Sequence, residues 1–183
     1  IQEGEPLLFL VKLGIQKQDG QIVKGQRDKF IQINRFLESV QHTLKSLSKE
    51  KFLLIYDLGC GKAYLTFALY YLLLENSFTN FKIIGVDRKA DVMNFCTSLA
   101  RSLGWNNLYF EEGNIETVKP AAQVGMVIAL HACNTATDDA LYQAIVWQAE
   151  AVFVAPCCQH EVLHDMKASN IPALLSHGLI RER

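Results

Sequence analysis

Five short stretches of this 183-residue chain could do chemistry. In the first, an apolar run ends in Asp57 and crosses Gly59, Cys60 and Gly61 before helical periodicity resumes near Tyr64. That order predicts a strand, a tight bend and a helix. Two glycines let the backbone turn sharply and leave bare main chain for a ligand to lie against. The helix start that follows offers unpaired N–H donors. A second apolar run ends in Asp87 and Arg88, where a carboxylate can accept from two neighbouring hydroxyls. Asn114 and Ile115 follow a third run. The fourth and fifth stretches hold the remaining reactive side chains: His131, Cys133 and Asn134, then Pro156, Cys157, Cys158, Gln159 and His160. Imidazole titrates near neutral pH and suits a general base. A thiol becomes a nucleophile when its pKa is depressed.

A dinucleotide loop of the form Gly-x-Gly-x-x-Gly needs a third glycine, and the bulky Tyr64 stands there. The acid directly ahead of the bend points elsewhere. Asp57-x-Gly59-x-Gly61 resembles motif I of class I S-adenosylmethionine (SAM)-dependent methyltransferases, with Ala63 where that family usually has another glycine. The competing reading is an ordinary glycine turn. The run from Leu130 to Asp138 (L-H-A-C-x-T-A-T-D) and the run from Pro156 to His160 (P-C-C-Q-H) sharpen the likeness. Together with the bend they look like a group of methyltransferase-domain proteins regarded as RNA methyltransferases. Cys157-Cys158-x-His160 also resembles tRNA ribose 2′-O-methyltransferases of the acceptor stem. The similarity runs from about Lys29 to the last residue.

The resemblance implies SAM as cofactor. Asp57 would meet the amino end of the methionine, Asp87 the ribose hydroxyls, and Asn114 the adenine. Gly59, Cys60, Gly61, Arg88, Ile115 and His131 would complete the cofactor site. Methyl transfer from a sulfonium is an in-line displacement in which positioning does much of the work. A base is needed only when the acceptor must lose a proton, and His131 is the first candidate; a histidine that merely caps the strand end is the alternative. Cys157 and His160 are further catalytic candidates, the thiolate attacking C6 of a pyrimidine and the imidazole lowering its pKa. Cys133, Cys157, Cys158, His131 and His160 could also gather around zinc, but the spaced Cys pairs usual in such sites are absent, and no metal is expected. In the plainest reading, Pro156 to Cys158 form a wall of the acceptor pocket. Asn134, Pro156, Cys158, Lys29 and Arg35 are the acceptor-side candidates, although Lys29, Gln32 and Arg35 also fit a solvated helix face. The Asp/Asn-Pro-Pro-aromatic signature of many amino-methylating enzymes is missing after the fourth strand, which disfavours that chemistry.

The elements that must position these residues are legible from periodicity. Apolar residues recur every three or four positions from Phe30 to Leu47, an amphipathic helix. A short helix over 5–13, with Pro6 in its first turn and Gly14 as its stop, precedes it. Strands are expected from about 52, over 81–87, 107–111, 124–130 and 151–155, with helices over 62–75, 91–103 and from about 137. Asp138 and Asp139 would then sit in the last helix's first turn, favourable for its dipole. Strands apolar throughout and alternating with helices imply a parallel sheet buried on both faces. The expected fold is a doubly wound, Rossmann-like, mostly parallel α/β sheet, with a helical lead-in at 1–51 and a SAM-binding domain at 52–183. Only short helical pieces are expected at 161–168 and 171–177, where the resemblance implies two more strands. The expectation is therefore a piece of a longer protein.

Composition bounds the partners. Five cysteines in no secreted-type framework favour reduced thiols and the cytoplasm, and no apolar run is long enough to span a membrane. Formal net charge is −1, yet residues 1–51 hold nine Lys/Arg against six Asp/Glu. A polyanion would favour that end. The sequence therefore predicts a SAM-dependent methyltransferase with RNA as the preferred acceptor. A protein or small-molecule acceptor, an NAD-dependent oxidoreductase and a non-catalytic binding module are the alternatives. Oligomeric state is not legible.

Overall fold

The computed structural model describes residues 1–130, 132 and 135–155. Its elements, in chain order, are α1 (Leu8–Lys12), α2 (Arg27–Leu44), β1 (Leu53–Leu58), α3 (Tyr64–Glu75), β2 (Phe81–Asp87), α4 (Ala90–Ser102), β3 (Leu108–Glu112), β4 (Met126–Ala129), α5 (Thr135–Val146) and β5 (Ala151–Val154). The strands form one parallel sheet in the order β3-β2-β1-β4-β5. The chain winds outward from β1 to β3, then returns to lay β4 on the other side of β1. This is the doubly wound α/β fold that the alternating apolar runs predict. Among the described residues no helix is long and apolar enough to cross a membrane.

All six residues of β1 are buried, as a central strand sandwiched by helices requires. Side chains of a strand alternate between faces, and the core divides accordingly. Leu53 and Ile55 pack with α1 to α4, whereas Leu54, Tyr56 and Leu58 pack with Ala140 and Ala144 of α5. The lead-in shares the first of these clusters. Phe9 of α1 lies against Tyr71 and Trp105, with ring centroids 5.4 and 5.7 Å away, and Trp105 stacks on Tyr70 at 4.4 Å. Phe36 of α2 meets Phe153 of β5 edge-on at 6.3 Å. The buried Gln16 ties the lead-in together: its Oε1 accepts from the Leu7 N–H, and its Nε2 donates to the carbonyls of Glu5 and Gly20.

The observed element ends fall within three residues of the expected ones, and those of β2 coincide with them, the usual uncertainty where ladders fray. Two differences have consequences. Pro6 lies ahead of α1 rather than in its first turn, because Leu7 is the N-cap. Helix α5 begins at Thr135, so Asp138 is in its first turn but Asp139 is not. The helical pieces expected at 161–168 and 171–177 lie outside the described residues.

One row across the sheet carries a packing constraint. Asp57 on β1, Gly85 on β2 and Phe110 on β3 are register partners. A Cβ at Gly85 would stand 2.7 Å from the Phe110 ring and 3.0 Å from the Cys60 Sγ. The Phe110 ring already packs against Phe67 at 5.5 Å and has little room to retreat. Gly85→Ala should therefore cost about 1–3 kcal/mol by overpacking. A lower denaturant midpoint at unchanged slope is the expected reading; an unchanged midpoint would show that the row yields freely.

Candidate cofactor site

The bend after β1 is held by β2. The N–H groups of Gly59 and Cys60 both donate to the Val86 carbonyl, at 2.8 and 3.1 Å. The Gly61 N–H donates to Asp87 Oδ2 at 2.9 Å, and the Lys89 N–H donates to Oδ1 at 3.1 Å. Asp87 thus latches the bend to the start of α4 through both oxygens, each of which keeps a lone-pair direction for a further donor. Three residues of the bend adopt left-handed backbone: Gly59 (φ +75°), Gly61 (φ +52°) and Ala63 (φ +55°). The Ala63 conformation explains why a glycine is usual there. Its left-handed strain is about 1–2 kcal/mol, and burial of its methyl, worth about 0.8 kcal/mol, offsets part of it.

Beside the bend, at the carboxyl ends of the strands, lies a cleft of about 700 Å³. Clefts at this switch in strand order are where open α/β sheets hold ligands, and the volume is within the range of small-molecule sites. Of the residues predicted for the cofactor, Gly59, Asp87, Arg88, Asn114 and Ile115 line it. Asp57, Cys60 and Gly61 are not among its lining residues. The alternation of β1 explains the first of these. Asp57 points to the face covered by α3, where it is 5 % exposed and its Oδ2 accepts from the Thr66 hydroxyl at 2.5 Å. Among the described residues no donor reaches the other oxygen, Oδ1.

Burial, opposed by the Thr66 hydrogen bond and reinforced by the nearby charge of Asp87, pushes the Asp57 carboxyl up to about 7. The Cys60 thiol is raised well above its ordinary value, chiefly by burial and then by Asp57. Cys96 is pushed up to about 12 by burial and then by Asp87 and Asp57. Neither thiol is a nucleophile at neutral pH. Both are buried and behave as small hydrophobes, with Cys60 packed against Met93.

The structure adds residues that the sequence does not assign to the site. Asp139 and Thr135 of α5 and Glu116 of the loop after β3 line the cleft. The buried Gln143 donates to the Glu116 carbonyl at 3.0 Å, pinning that loop to α5. The loop is closed on itself by the N–H groups of Thr117 and Val118, which donate to the Asn114 carbonyl at 3.1 and 3.2 Å. The spacing Thr135, Asp139, Gln143 follows one helix face, a signal that is usable only once the start of α5 is known.

Lys29 and Arg35 are exposed on α2 and do not line the cleft. Their helix nonetheless reaches the bend's far end. The Tyr64 hydroxyl donates to Gln32 Oε1 at 2.7 Å, and Lys29 Nζ stands 6.0 Å from the Tyr64 ring centre. The remaining candidates, His131, Cys133, Asn134, Pro156, Cys157, Cys158 and His160, lie outside the described residues.

A family model described as a methyltransferase domain matches residues 28–165. The chain belongs to the methyltransferase-domain family. Solved structures similar to this methyltransferase-domain chain include the YcgJ protein from Bacillus subtilis (19 % identity, TM-score 0.41, covering 54 % of this chain and 38 % of that one). A SAM-dependent methyltransferase from Geobacter sulfurreducens in complex with S-adenosyl-L-homocysteine matches at 18 % identity and TM-score 0.40, over 54 % of this chain and 36 % of that one. Coclaurine N-methyltransferase bound to N-methylheliamine and S-adenosyl-L-homocysteine matches at 15 % identity and TM-score 0.45, over 70 % and 36 %. The chain thus spans little more than a third of the length of these three structures. No curated protein matches the sequence.

Proposed function

We propose that the chain is a SAM-dependent methyltransferase whose acceptor is RNA. The observation that carries the cofactor half is the bend. A left-handed glycine turn, latched by Asp87 and ending a central strand, opens bare backbone onto the cleft, while one oxygen of the buried Asp57 carboxyl has no donor among the described residues. The donor set suits a nucleoside that also carries an ammonium group. Asp87 has lone pairs left for ribose hydroxyls, Asn114 and Ile115 line the same cleft and are the proposed partners of a base, and Asp57 Oδ1 is the proposed acceptor for the ammonium. Gly59, Cys60 and Gly61 supply the main chain of the bend, and Arg88 and His131 complete the set. SAM, when bound, supplies an electrophilic methyl group on a sulfonium.

This chain's residues do the rest. The bend and Asp87 fix the nucleoside end, so that the methyl is presented to one approach direction. His131, which follows β4 in sequence, is the proposed base for an acceptor that must lose a proton, with Cys157 and His160 as further candidates. Lys29 and Arg35 on α2, with Asn134, Pro156 and Cys158, are proposed on the acceptor side. The RNA half rests on the motif resemblance and on the cationic excess of residues 1–51. The five cysteines, in no secreted-type framework, support reduced thiols and a cytoplasmic location.

The test is tritiated SAM incubated with the protein and with separated cell RNA, protein and metabolite fractions. Label entering RNA alone is expected. Label in the protein or metabolite fraction instead would overturn the acceptor and leave the cofactor standing. A calorimetric titration showing no SAM binding would overturn both.

A further inference from the structure

Helix α3 is a core helix: Leu65, Phe67, Ala68, Leu69 and Leu73 are all at most 3 % exposed. In the midst of this apolar set, Thr66 is fully buried. A hydroxyl at that depth must find an acceptor, and its one proton goes to Asp57 Oδ2 at 2.5 Å. We infer that Thr66 is a positioning residue for cofactor binding, holding Asp57 so that Oδ2 is satisfied within the protein and Oδ1 stays available for the ligand's ammonium. The inference rests on the SAM reading above and names a residue through which that site acts.

The surroundings of Asp57 show why such a partner matters. Burial and the charge of Asp87 on β2 both oppose a negative charge there, and Asp57 in turn helps to keep the thiols of Cys60 on the bend and Cys96 on α4 neutral. Its register partners Gly85 and Ile128 carry no charge. Among the described residues, Thr66 is the group that favours the ionised carboxylate. A hydrogen bond to a charged acceptor is among the stronger ones. Threonine also suits the place sterically, since its branched Cβ restricts rotation and its methyl occupies apolar space.

The experiment compares Thr66→Val, which keeps the shape and removes the donor, with Thr66→Ser, which restores it. In ligand-free protein, the Asp57 carboxyl carbon is followed by NMR against pH. In parallel, SAM affinity is measured by calorimetry over the same range. Thr66→Val should shift the Asp57 titration upward by about one pH unit and weaken SAM binding about fivefold at neutral pH, with most of the loss recovered near pH 9. Thr66→Ser should track the wild type. An unshifted titration, an affinity loss equal at every pH, or a Ser variant that behaves like Val would each overturn the inference. If Thr66→Val fails to fold, Thr66→Ala carries the same comparison. A wild type that fails to bind SAM would remove the cofactor reading instead, and the ligand-free titration would still decide whether Thr66 governs Asp57.

Discussion

Asp57→Asn is expected to bind SAM about a hundredfold more weakly than the wild type and, at neutral pH, to be the more stable protein. Both effects come from one carboxyl. Asparagine keeps an oxygen to accept from Thr66 but has no charge to offer an ammonium. Removing one partner of a buried charge pair costs roughly 2–5 kcal/mol. The stability gain follows from linkage. In the unfolded chain the carboxyl titrates at its ordinary value of 3.8, and in the folded protein at about 7. Between those values the native state binds more protons than the unfolded state, so stability falls as pH rises through that window and levels off above it. At neutral pH the accumulated loss is about 3–4 kcal/mol, and an amide carries none of it. The measurements are SAM affinity by calorimetry and denaturant midpoints of both proteins from about pH 4 to pH 8. The gap between the midpoints should widen with pH. Equal midpoints at pH 8 would show that Asp57 is not held against its own charge.

The same linkage gives the wild type a pH signature. If the ionised carboxylate receives the ammonium, SAM affinity rises as pH climbs through about 7, and each binding event releases protons in proportion to the neutral fraction. An uncommitted glycine turn would show neither effect.

The fold was open to reading because β1, β2 and β4 are apolar on both faces, a pattern that only a sheet covered on both sides requires. The ends of those strands, with Asp57 and Asp87, were legible for the same reason. Because both faces of these strands are apolar, the runs themselves do not show which face is covered by which helix, nor which face opens onto the cleft. Asp57 and Asp87 look equivalent in sequence, yet one turns under α3 and the other opens onto the cleft. Thr66 was invisible because a threonine in an apolar helix reads as core, and its partner is nine residues away across a bend. Asp139 was assigned to the helix dipole because α5 was expected to start two residues later; the helix starts at Thr135, and Asp139, one turn on along the same face, lines the cleft. Glu116 and Gln143 meet only through the packing of α5 on the loop after β3. In each case the missing information is a contact between elements, not a property of either element alone.

Asp87→Asn is expected to lower both SAM affinity and stability, the reverse of the stability change at Asp57. A carboxylate can accept on both sides, whereas an amide has one acceptor and one donor end. The Gly61 N–H and the Lys89 N–H both point at this group. Whichever way the amide turns, its NH₂ faces one of them. If it faces Gly61, the bend loses its latch; if it faces Lys89, the N-cap residue of α4 loses its partner. A hydrogen bond to a charged group contributes roughly 1.5–3 kcal/mol, so a stability loss of that order and an affinity loss of about a hundredfold are expected. The pH profile separates this from simple damage. The charge of Asp87 is one of the causes that raise Asp57, so removing it should move the pH midpoint of the residual SAM binding down, opposite to the shift expected for Thr66→Val. The double variant Asp57→Asn/Asp87→Asn should lose less affinity than the two single losses combined, because both residues act on one bend and share an electrostatic term. A midpoint unmoved in Asp87→Asn, together with strictly additive losses, would mean that the two acids serve the cleft independently.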